Sequence, residues 1–205
     1  SVRPIPLTSS KMCGIAGMVS SAPLGRRERE LVRDMAHGMA HRGPDGEGHW
    51  EGPSAVLAHA RLAIMDPSPR GRQPMLSEDG RVVLVANGEF YNHPELRREL
   101  EDKGHRFTSR SDSEVAVHLY EESGPGLVER LRGMFALALW DAMKCTLVLA
   151  RDRLGQKPLY YFQYDPVFQS GSRIHVFNPG LEMAVGVFEH QKAVRRDCLV
   201  EYPCI

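Results

Sequence analysis

The strongest constraint on the fold is a pair of apolar segments that follow one another closely in the chain. Side chains alternate along residues 134–141, and a second apolar segment at 146–151 follows after a short polar link. Alternation with a period of two is typical of β-strands, and the short link predicts that these two strands pair antiparallel. Further apolar strands are predicted at 13–19, 55–60 and 81–86. Because helical patterns lie between the strands, we expect an α+β domain in which helices cover two stacked, mainly antiparallel sheets.

Residues 26–40 have the spacing of a packing helix. Apolar residues recur every three or four positions, and the opposite face is charged. This is the pattern of a surface helix whose apolar stripe faces the core. The residues predicted to face the core are Leu31, Val32, Met35 and Met39.

Two further helices are predicted from capping-box patterns. Asn92 with Glu95 begins the first, and Ser111 with Glu114 repeats the pattern for the second. Asp112 is therefore expected in the first turn of the second helix, where a carboxylate interacts favourably with the helix dipole. The other interpretation of Asp112 is a carboxylate that binds a substrate ammonium group.

The composition is that of an ordinary globular protein and argues against several classes of partner. Hydrophobic residues make up 42% of the chain, and 26 acidic residues balance 26 basic ones. A net charge of +0 gives no reason to expect nucleic acid or an anionic membrane as a partner. No apolar run approaches the roughly 20 residues that cross a bilayer. We expect one domain, with no membrane attachment.

Cysteine and histidine spacings predict neither a disulfide framework nor a metal site. The four cysteines form no Cys-x-x-Cys pair and no secretory signal precedes them, so a reducing cytoplasm is expected. His37 and His41 have helical i,i+4 spacing but lack the adjacent glutamate of the zinc-binding helix pattern. The chain also lacks the Gly-x-Gly-x-x-Gly and Gly-x-x-x-x-Gly-Lys-Ser/Thr patterns, so no nucleotide site is expected within it.

Cys13, in the stretch Met12-Cys13-Gly14-Ile15-Ala16-Gly17, is the candidate nucleophile. After removal of residues 1–12, its thiol would lie beside its own α-amino group. A neutral amine with a pKa of about 7.7–8.0 can accept the thiol proton near neutral pH. While Met12 is attached, that nitrogen is an amide and cannot act as a base. Residues 1–11 contain two prolines and no periodicity, which predicts a disordered leader. The alternative is a buried structural cysteine at a strand edge.

Three other polar stretches each allow a structural and a functional interpretation. Arg61, flanked by apolar residues, is either half of an internal ion pair or the anchor of a substrate carboxylate, and the ion pair is favoured. Asn87-Gly88 follows an apolar strand that is expected to end at Ala86. This dipeptide is either a hairpin turn or a side-chain amide beside an unhindered backbone N–H, the parts of an oxyanion hole. The loop at 41–46 is either a plain connection, which is favoured, or the wall of a site.

Seven motifs in order resemble those of the class II glutamine amidotransferase domain, an N-terminal-nucleophile hydrolase fold, and most closely the glutamine-hydrolysing asparagine synthetase type. They extend from Met12 to about Phe162 and read MCGIAG, HRGPDG, HARLAIMD, NGEFYN, SDSE, GMFALALWD and RDRLGQKPLYY. Seven motifs in register are far more specific than any one of them. The resemblance implies a four-layer αββα sandwich. It also implies release of ammonia from glutamine, with Cys13 attacking the side-chain carbonyl to form a thioester.

The resemblance assigns a role to each of the other candidate residues. Asn87 and the Gly88 N–H would stabilise the oxyanion. Arg61 would hold the α-carboxylate of glutamine, and Asp112 and Glu89 would lie around its α-amino group. The residues that would line the glutamine pocket are Arg61, Leu62, Ala63, Ile64, Met65, Asn87, Gly88, Glu89 and Asp112.

The resemblance also divides the chain into a leader at 1–12, an amidotransferase domain at 13–164 and a divergent tail at 165–205. The Ser-Gly-Gly-x-Asp-Ser loop of the synthetase domain is absent, so we expect the N-terminal part of a longer synthetase that amidates aspartate with ATP. No cofactor is expected in the amidotransferase domain, because ATP and Mg²⁺ would serve the missing synthetase domain. L-Glutamine and a synthetase domain are the expected partners, and a homodimer is left open. The alternatives are a catalytically silent fragment or interaction module, and an amidotransferase acting on a sugar or secondary-metabolite acceptor.

Overall fold

The structure of the protein, a computed structural model, describes residues 11–164 and three later strands at 173–177, 192–193 and 199–203. Most of the leader, for which disorder was predicted, and most of the tail at 165–205 lie outside the described residues.

Two antiparallel sheets form the centre of the domain. The strands of the first sheet are, in spatial order, β10 (Lys192–Ala193), β8 (Tyr160–Tyr164), β9 (Arg173–Phe177), β1 (Gly14–Ser20), β3 (Ala55–Ala60) and β2 (Glu47–Glu51). The strands of the second sheet are β11 (Leu199–Pro203), β7 (Thr146–Arg151), β6 (Gly133–Asp141), β5 (Val82–Phe90) and β4 (Met75–Leu76). The predicted antiparallel pairing of the two central segments is confirmed, with Leu139 of β6 opposite Val148 of β7.

Helices cover both outer faces of the paired sheets. They are α1 (Arg26–Gly38), α2 (His93–Asp102), α3 (Glu114–Ser123) and α4 (Leu127–Arg130). Among the described residues, none of these helices is both long and apolar enough to cross a bilayer.

The alternation of side chains along the strands produces four layers. On β1, Ile15 packs between the sheets whereas Ala16 faces α1. On β5, Val83 packs between the sheets whereas Leu84 packs with the α2 and α3 residues of the outer cluster. Each central strand is therefore apolar on both faces, and burial of that surface, at roughly 25 cal/mol per Å², holds the layers together. The predicted α+β fold, with its αββα sandwich, is confirmed.

The core face of α1 differs from the prediction at one position. Val32 and Ala36 are fully buried, and Met39, just beyond the end of the helix, is buried as well. Leu31 was predicted to face the core but is 43% exposed. Val32 and Ala36 are four residues apart and share one face, whereas Leu31 lies about 100° around the helix from Val32.

Neither predicted capping box forms. The Asn92 side chain donates to the Arg130 carbonyl oxygen at 2.9 Å and accepts from the Arg132 N–H at 2.9 Å, so it joins the start of α2 to the segment before β6. The Glu114 carboxylate accepts hydrogen bonds from the backbone and hydroxyl groups of Thr108 and Ser109. Asn92 thus bonds a distant segment and Glu114 bonds the loop just before α3, and neither forms its capping box.

Two other predictions about element boundaries were wrong. Helix α3 begins at Glu114, so Asp112 precedes the helix and is not in its first turn. Strand β5 was predicted to end at Ala86, but it continues to Phe90. Asn87-Gly88 is therefore part of the strand and does not form a hairpin turn, and Gly88 lies opposite Phe135 of β6.

Candidate active site

One cavity of about 400 Å³ is lined by every residue predicted to take part in catalysis or glutamine binding. Its walls come from the start of β1, the loop after β3, the end of β5 and the segment before α3. The candidate residues that line it are Cys13, Arg61, Leu62, Ala63, Ile64, Met65, Asn87, Gly88, Glu89 and Asp112. Their roles in chemistry stay predictions, but their convergence on one cavity is a property of the fold.

The Cys13 thiol lines this cavity and lies against the backbone of Leu62. The Leu62 N–H donates to Sγ at 3.3 Å, and Sγ lies 3.6 Å from the Leu62 carbonyl oxygen. Burial raises the pKa of the Cys13 thiol, and the Leu62 hydrogen bond and the positive charges of Arg61 and Arg42 offset only part of that effect. The thiol is therefore protonated at neutral pH and needs a base in order to attack.

The residue before Cys13 is anchored on two sides. The Met12 N–H donates to the Arg42 carbonyl oxygen at 3.0 Å, and the Met12 sulfur lies 2.8 Å from the Lys157 ammonium nitrogen. Lys11 and Met12 also line the cavity. In this chain the nitrogen of Cys13 is an amide, and the space beside it is filled by Met12.

The loop at 41–46 packs against the backbone of Arg61, which lines the cavity. Arg61 N–H donates to the Gly46 carbonyl oxygen at 2.8 Å, and Asp45 N–H donates to the Arg61 carbonyl oxygen at 2.9 Å. A Cβ atom at Gly43 would lie 2.3 Å from the Ala60 carbonyl carbon, so only glycine permits this close approach. No residue of this loop is among those that line the cavity, so the loop supports the Arg61 backbone and is not itself a wall of the site.

Arg61 is buried and forms no salt bridge with the carboxylates of the described residues. Its Nη2 group donates to the carbonyl oxygens of Asp66 and Ser68. The Asp66 carboxylate instead accepts from the backbone N–H groups of Ser68 and Arg110, at 3.0 Å and 2.8 Å. The favoured internal ion pair is therefore absent in this part of the chain. A buried guanidinium without an anionic partner is suited to a carboxylate from a ligand.

Asn87 is buried, and its side-chain amide nitrogen has no hydrogen-bond partner among the described residues. Leaving a buried donor unsatisfied costs about 1–3 kcal/mol, so such groups usually meet a ligand or water. Beside it, Gly88 has a φ of 137°, and a Cβ atom there would lie 1.9 Å from the Met134 carbonyl oxygen. Only glycine fits, which keeps the cavity wall free of a side chain at this position.

Two carboxylates lie near the end of β5. Asp112 Oδ2 accepts from the Phe90 N–H at 2.7 Å. Burial raises the pKa of Asp112, and the neighbouring Glu89 raises it further, whereas the Phe90 hydrogen bond and His93 lower it. A buried carboxylate beside a half-buried one is suited to an ammonium group.

Among the lining residues that sequence reasoning missed are three polar ones, His59, Gln73 and Lys157. Burial lowers the pKa of His59 to about 4, so this ring is neutral at neutral pH. Gln73 accepts from the Ala86 N–H at 2.6 Å and supports the strand before Asn87. His59 begins the HARLAIMD motif, two positions before Arg61, and Lys157 lies within the GQKPLYY motif. The motifs in the sequence therefore already contained both residues.

Comparisons with known proteins identify the family of the domain. A model of the glutamine amidotransferase domain family matches residues 12–199, which extends beyond the motifs that end near residue 162. An asparagine synthetase [glutamine-hydrolyzing] 2 from Bacillus subtilis (strain 168) is 42% identical over 163 residues, covering 78% of this chain and 21% of the relative. An asparagine synthetase [glutamine-hydrolyzing] 1 from Arabidopsis thaliana is 36% identical over 187 residues, covering 91% of this chain and 29% of the relative.

A solved structure shares the fold at lower sequence identity. The glutamine phosphoribosylpyrophosphate amidotransferase from B. subtilis, complexed with ADP and GMP, aligns with a TM-score of 0.69 and 18% identity. The alignment covers 94% of this chain and 49% of that one. The chain spans between about a fifth and a third of the length of the curated relatives it matches. The family match and these relatives together establish that the chain belongs to the glutamine amidotransferase domain family.

Proposed function

We propose that this chain hydrolyses glutamine to glutamate and ammonia, with Cys13 as the nucleophile. The observation that supports this most strongly is the unpartnered amide of Asn87, which lines the same cavity as the thiol. A fixed amide donor without another partner is what a developing oxyanion requires. The buried structural cysteine considered above would need no such donor in its vicinity.

The charges of the cavity match both ends of an α-amino acid. Arg61 would bind the α-carboxylate, because its guanidinium has no carboxylate partner among the described residues. Asp112 and Glu89 would bind the α-ammonium group. The segment at 62–65 would then lie along the methylene groups, and the side-chain amide of glutamine would reach Cys13.

The chemistry would proceed in two steps. The Cys13 sulfur would attack the side-chain carbonyl carbon, and Asn87 with the Gly88 N–H would stabilise the oxyanion until ammonia leaves with a proton from the base. Water would then attack the thioester, releasing glutamate and returning the proton to sulfur. The base would be the freed α-amine of Cys13, close to Arg42 and Lys157. Nearby positive charges disfavour an ammonium form, so they would help to keep this amine neutral.

The domain would supply ammonia to a synthetase domain of the same protein. The relatives are asparagine synthetases, so we propose aspartate as the acceptor, activated by ATP and Mg²⁺ bound outside the amidotransferase domain. The glutaminase step itself would need no cofactor, because Cys13, its amine and the oxyanion donors account for every bond that changes. A cytoplasmic location suits a mechanism that depends on a free thiol.

Interception of the thioester tests this proposal directly. During glutamine turnover by a chain that begins at Cys13, we expect intact-mass spectrometry to detect a γ-glutamyl adduct on Cys13. We also expect hydroxylamine to divert product from glutamate to γ-glutamyl hydroxamate. L-Asparagine, one methylene shorter, is the matched control and should give neither product. Glutamate release with no adduct and no hydroxamate would contradict a thioester mechanism.

Replacement of Asp112 tests how the substrate ammonium is bound. We expect Asp112→Asn to lower kcat/KM for glutamine by about 10- to 100-fold, mainly through KM, because hydrogen bonds to charged groups contribute about 1.5–3 kcal/mol. The carboxylate binds only when ionised, so its contribution is lost as pH falls through its pKa. Since burial raises that pKa, the loss should begin at a higher pH than for an exposed aspartate. A profile of KM against pH, measured for both proteins, should show this acid limb only in the parent.

The stability of the same variant should change little or increase. A raised pKa in the folded state means that the folded protein binds the proton more tightly, so ionisation of Asp112 costs stability at neutral pH. The neutral asparagine avoids that cost and can still accept from the Phe90 N–H. Asp34→Asn, on the exposed face of α1, is the matched control and should leave KM unchanged. An unchanged KM in Asp112→Asn would refute the proposed role.

A further inference from the structure

We propose that His105, His118 and Glu121 form a binding site for Zn²⁺ or a similar divalent cation on the outer helix layer. One donor atom from each of the three residues lies within 4.8 Å of the donor atoms of the other two. Across the described residues this is the one such group of histidine, cysteine, aspartate or glutamate side chains. Imidazole nitrogen and carboxylate oxygen are both preferred ligands of Zn²⁺.

The distances within this cluster suit a single ion. Glu121 Oε2 lies 2.9 Å from His118 Nδ1 and 3.6 Å from His105 Nδ1. Two ligands of a tetrahedral Zn²⁺, each bound at about 2.0–2.1 Å, lie about 3.3 Å apart. The two donor separations from Glu121 therefore bracket the required value, and the third, between the two imidazole nitrogens, is at most 4.8 Å.

The local fold holds the three side chains in place. His118 and Glu121 lie at i and i+3 on α3 and so project from the same face. His105 follows α2, and its N–H donates to the Leu100 carbonyl oxygen at 3.0 Å. The two imidazole centroids are 4.9 Å apart, and Phe107 packs against the His118 ring at 4.6 Å. These contacts restrict the ring orientations before any ion binds.

The second nitrogen of each ring supplies an independent argument. Zinc-bound histidines typically donate their other ring N–H to a carboxylate, which orients the ring. His105 Nε2 lies 3.1 Å from Glu122 Oε1, which is that arrangement. His118 Nε2 is buried with no hydrogen-bond partner in the described structure, and Glu114 Oε1 lies 4.0 Å away. Both rings thus direct Nδ1 toward Glu121 and Nε2 toward another carboxylate.

The charge around the cluster also favours a cation. Glu121 approaches both histidine rings, Glu114 approaches His118 and Glu122 approaches His105. The nearby Lys103 ammonium is shared between Glu99 at 3.2 Å and Glu122 at 3.0 Å. None of the three proposed ligands lines the cavity that contains Cys13. The ion would therefore be structural, joining the loop after α2 to α3, and would take no part in glutamine hydrolysis.

Zinc titration of the full chain tests the site. We expect isothermal titration to give one equivalent of bound Zn²⁺, and Co²⁺ to develop the visible absorption of a four-coordinate centre. At a zinc concentration of 100 times Kd, the melting temperature should rise by about 5–10 °C. His105→Ala and Glu121→Gln should each weaken Zn²⁺ binding by at least about 10-fold, and Glu122→Gln by about 10-fold through the orientation of His105.

Two control variants separate this site from other zinc-binding groups. His49→Ala removes a histidine that also lies beside a glutamate, with its Nε2 3.6 Å from Glu47 Oε2, and should leave the affinity unchanged. Cys13→Ala removes the thiol of the cavity and should leave it unchanged as well. Circular dichroism of each variant checks that it is folded. Absence of stoichiometric binding, or binding that survives in both His105→Ala and Glu121→Gln, would overturn the proposal. Neither outcome depends on glutaminase activity.

Discussion

A chain that begins at Cys13 is expected to release glutamate from glutamine at least about 100-fold faster than the 205-residue chain. General base catalysis contributes about 10²- to 10⁴-fold, and the longer chain has an amide where the base should be. The measurement is the initial rate of glutamate release at saturating glutamine and neutral pH. Both proteins are prepared in the same way, and intact mass confirms where each begins.

The geometry around Met12 explains why the difference should be large. Burial raises the pKa of the Cys13 thiol, so little thiolate exists at neutral pH without a base. Met12 acylates the nitrogen that would serve as this base and also fills the space between Arg42 and Lys157. Removal of Met12 should therefore both create the base and open room for it beside the thiol.

Two cysteine variants of the shorter chain make the result specific. Cys13→Ala should lower the rate by about 10⁴-fold or more, as removal of a catalytic nucleophile does. Cys145→Ala is the matched control, because Cys145 is also a free thiol, and its activity should be unchanged. Equal rates in the long and short chains would refute the amine as base. Inactivity of both would favour the catalytically silent module, or a domain that needs its synthetase partner.

Strand patterns predicted the fold well because each central strand is apolar on both faces. The period-two alternation at 134–141 continues through Phe135, Leu137 and Leu139, which are all buried. Strand β5 was harder to predict, because Asn87-Gly88 has the composition of a turn. Pairing with β6 and the close approach of Gly88 to Met134 hold it extended, and both are long-range contacts that local propensity does not contain.

Helix ends were predicted poorly for a related reason. Capping boxes describe contacts within one turn, but Asn92 bonds the backbone at 130–132, and Glu114 bonds Thr108 and Ser109 in the loop before its helix. A polar side chain satisfies whichever backbone group the tertiary fold brings near, and a sequence window cannot rank those partners. The predicted helix boundaries therefore differ from the observed ones. Asp112 was predicted in the first turn of a helix, but it lies in the segment before α3 and lines the cavity.

The order of the motifs was enough to predict which residues form the candidate site. It was not enough to predict which of them are protonated or which form ion pairs. The sequence favoured an ion pair for Arg61, whereas the fold directs its guanidinium to two backbone carbonyls and leaves it without a carboxylate in the described residues. The proposed metal ligands show the same limit. His118 and Glu121 have visible i,i+3 spacing, but His105 joins them only after α2 and α3 pack together.

Asn87→Ala is expected to lower kcat for glutamine hydrolysis by about 10²- to 10³-fold, with little change in KM. The Asn87 amide would bind the oxyanion far more strongly than the ground-state carbonyl, so its loss should affect the chemical step and spare binding. The thermal stability of the variant should hardly fall, because this amide nitrogen has no hydrogen-bond partner in the described structure. The measurement is steady-state kinetics of the Cys13-initiated chain, together with a thermal melt of each protein.

Asn92→Ala is the matched control, because the Asn92 side chain forms hydrogen bonds whereas the Asn87 amide nitrogen has none in the described structure. The Asn92 amide donates to the Arg130 carbonyl oxygen and accepts from the Arg132 N–H, so its loss removes two hydrogen bonds that contribute about 1 kcal/mol each. We expect a melting temperature lower by about 4–8 °C with kcat unchanged. If Asn87→Ala instead lost stability and kept its kcat, the amide would be a structural group. The oxyanion would then have to be bound by backbone N–H groups alone.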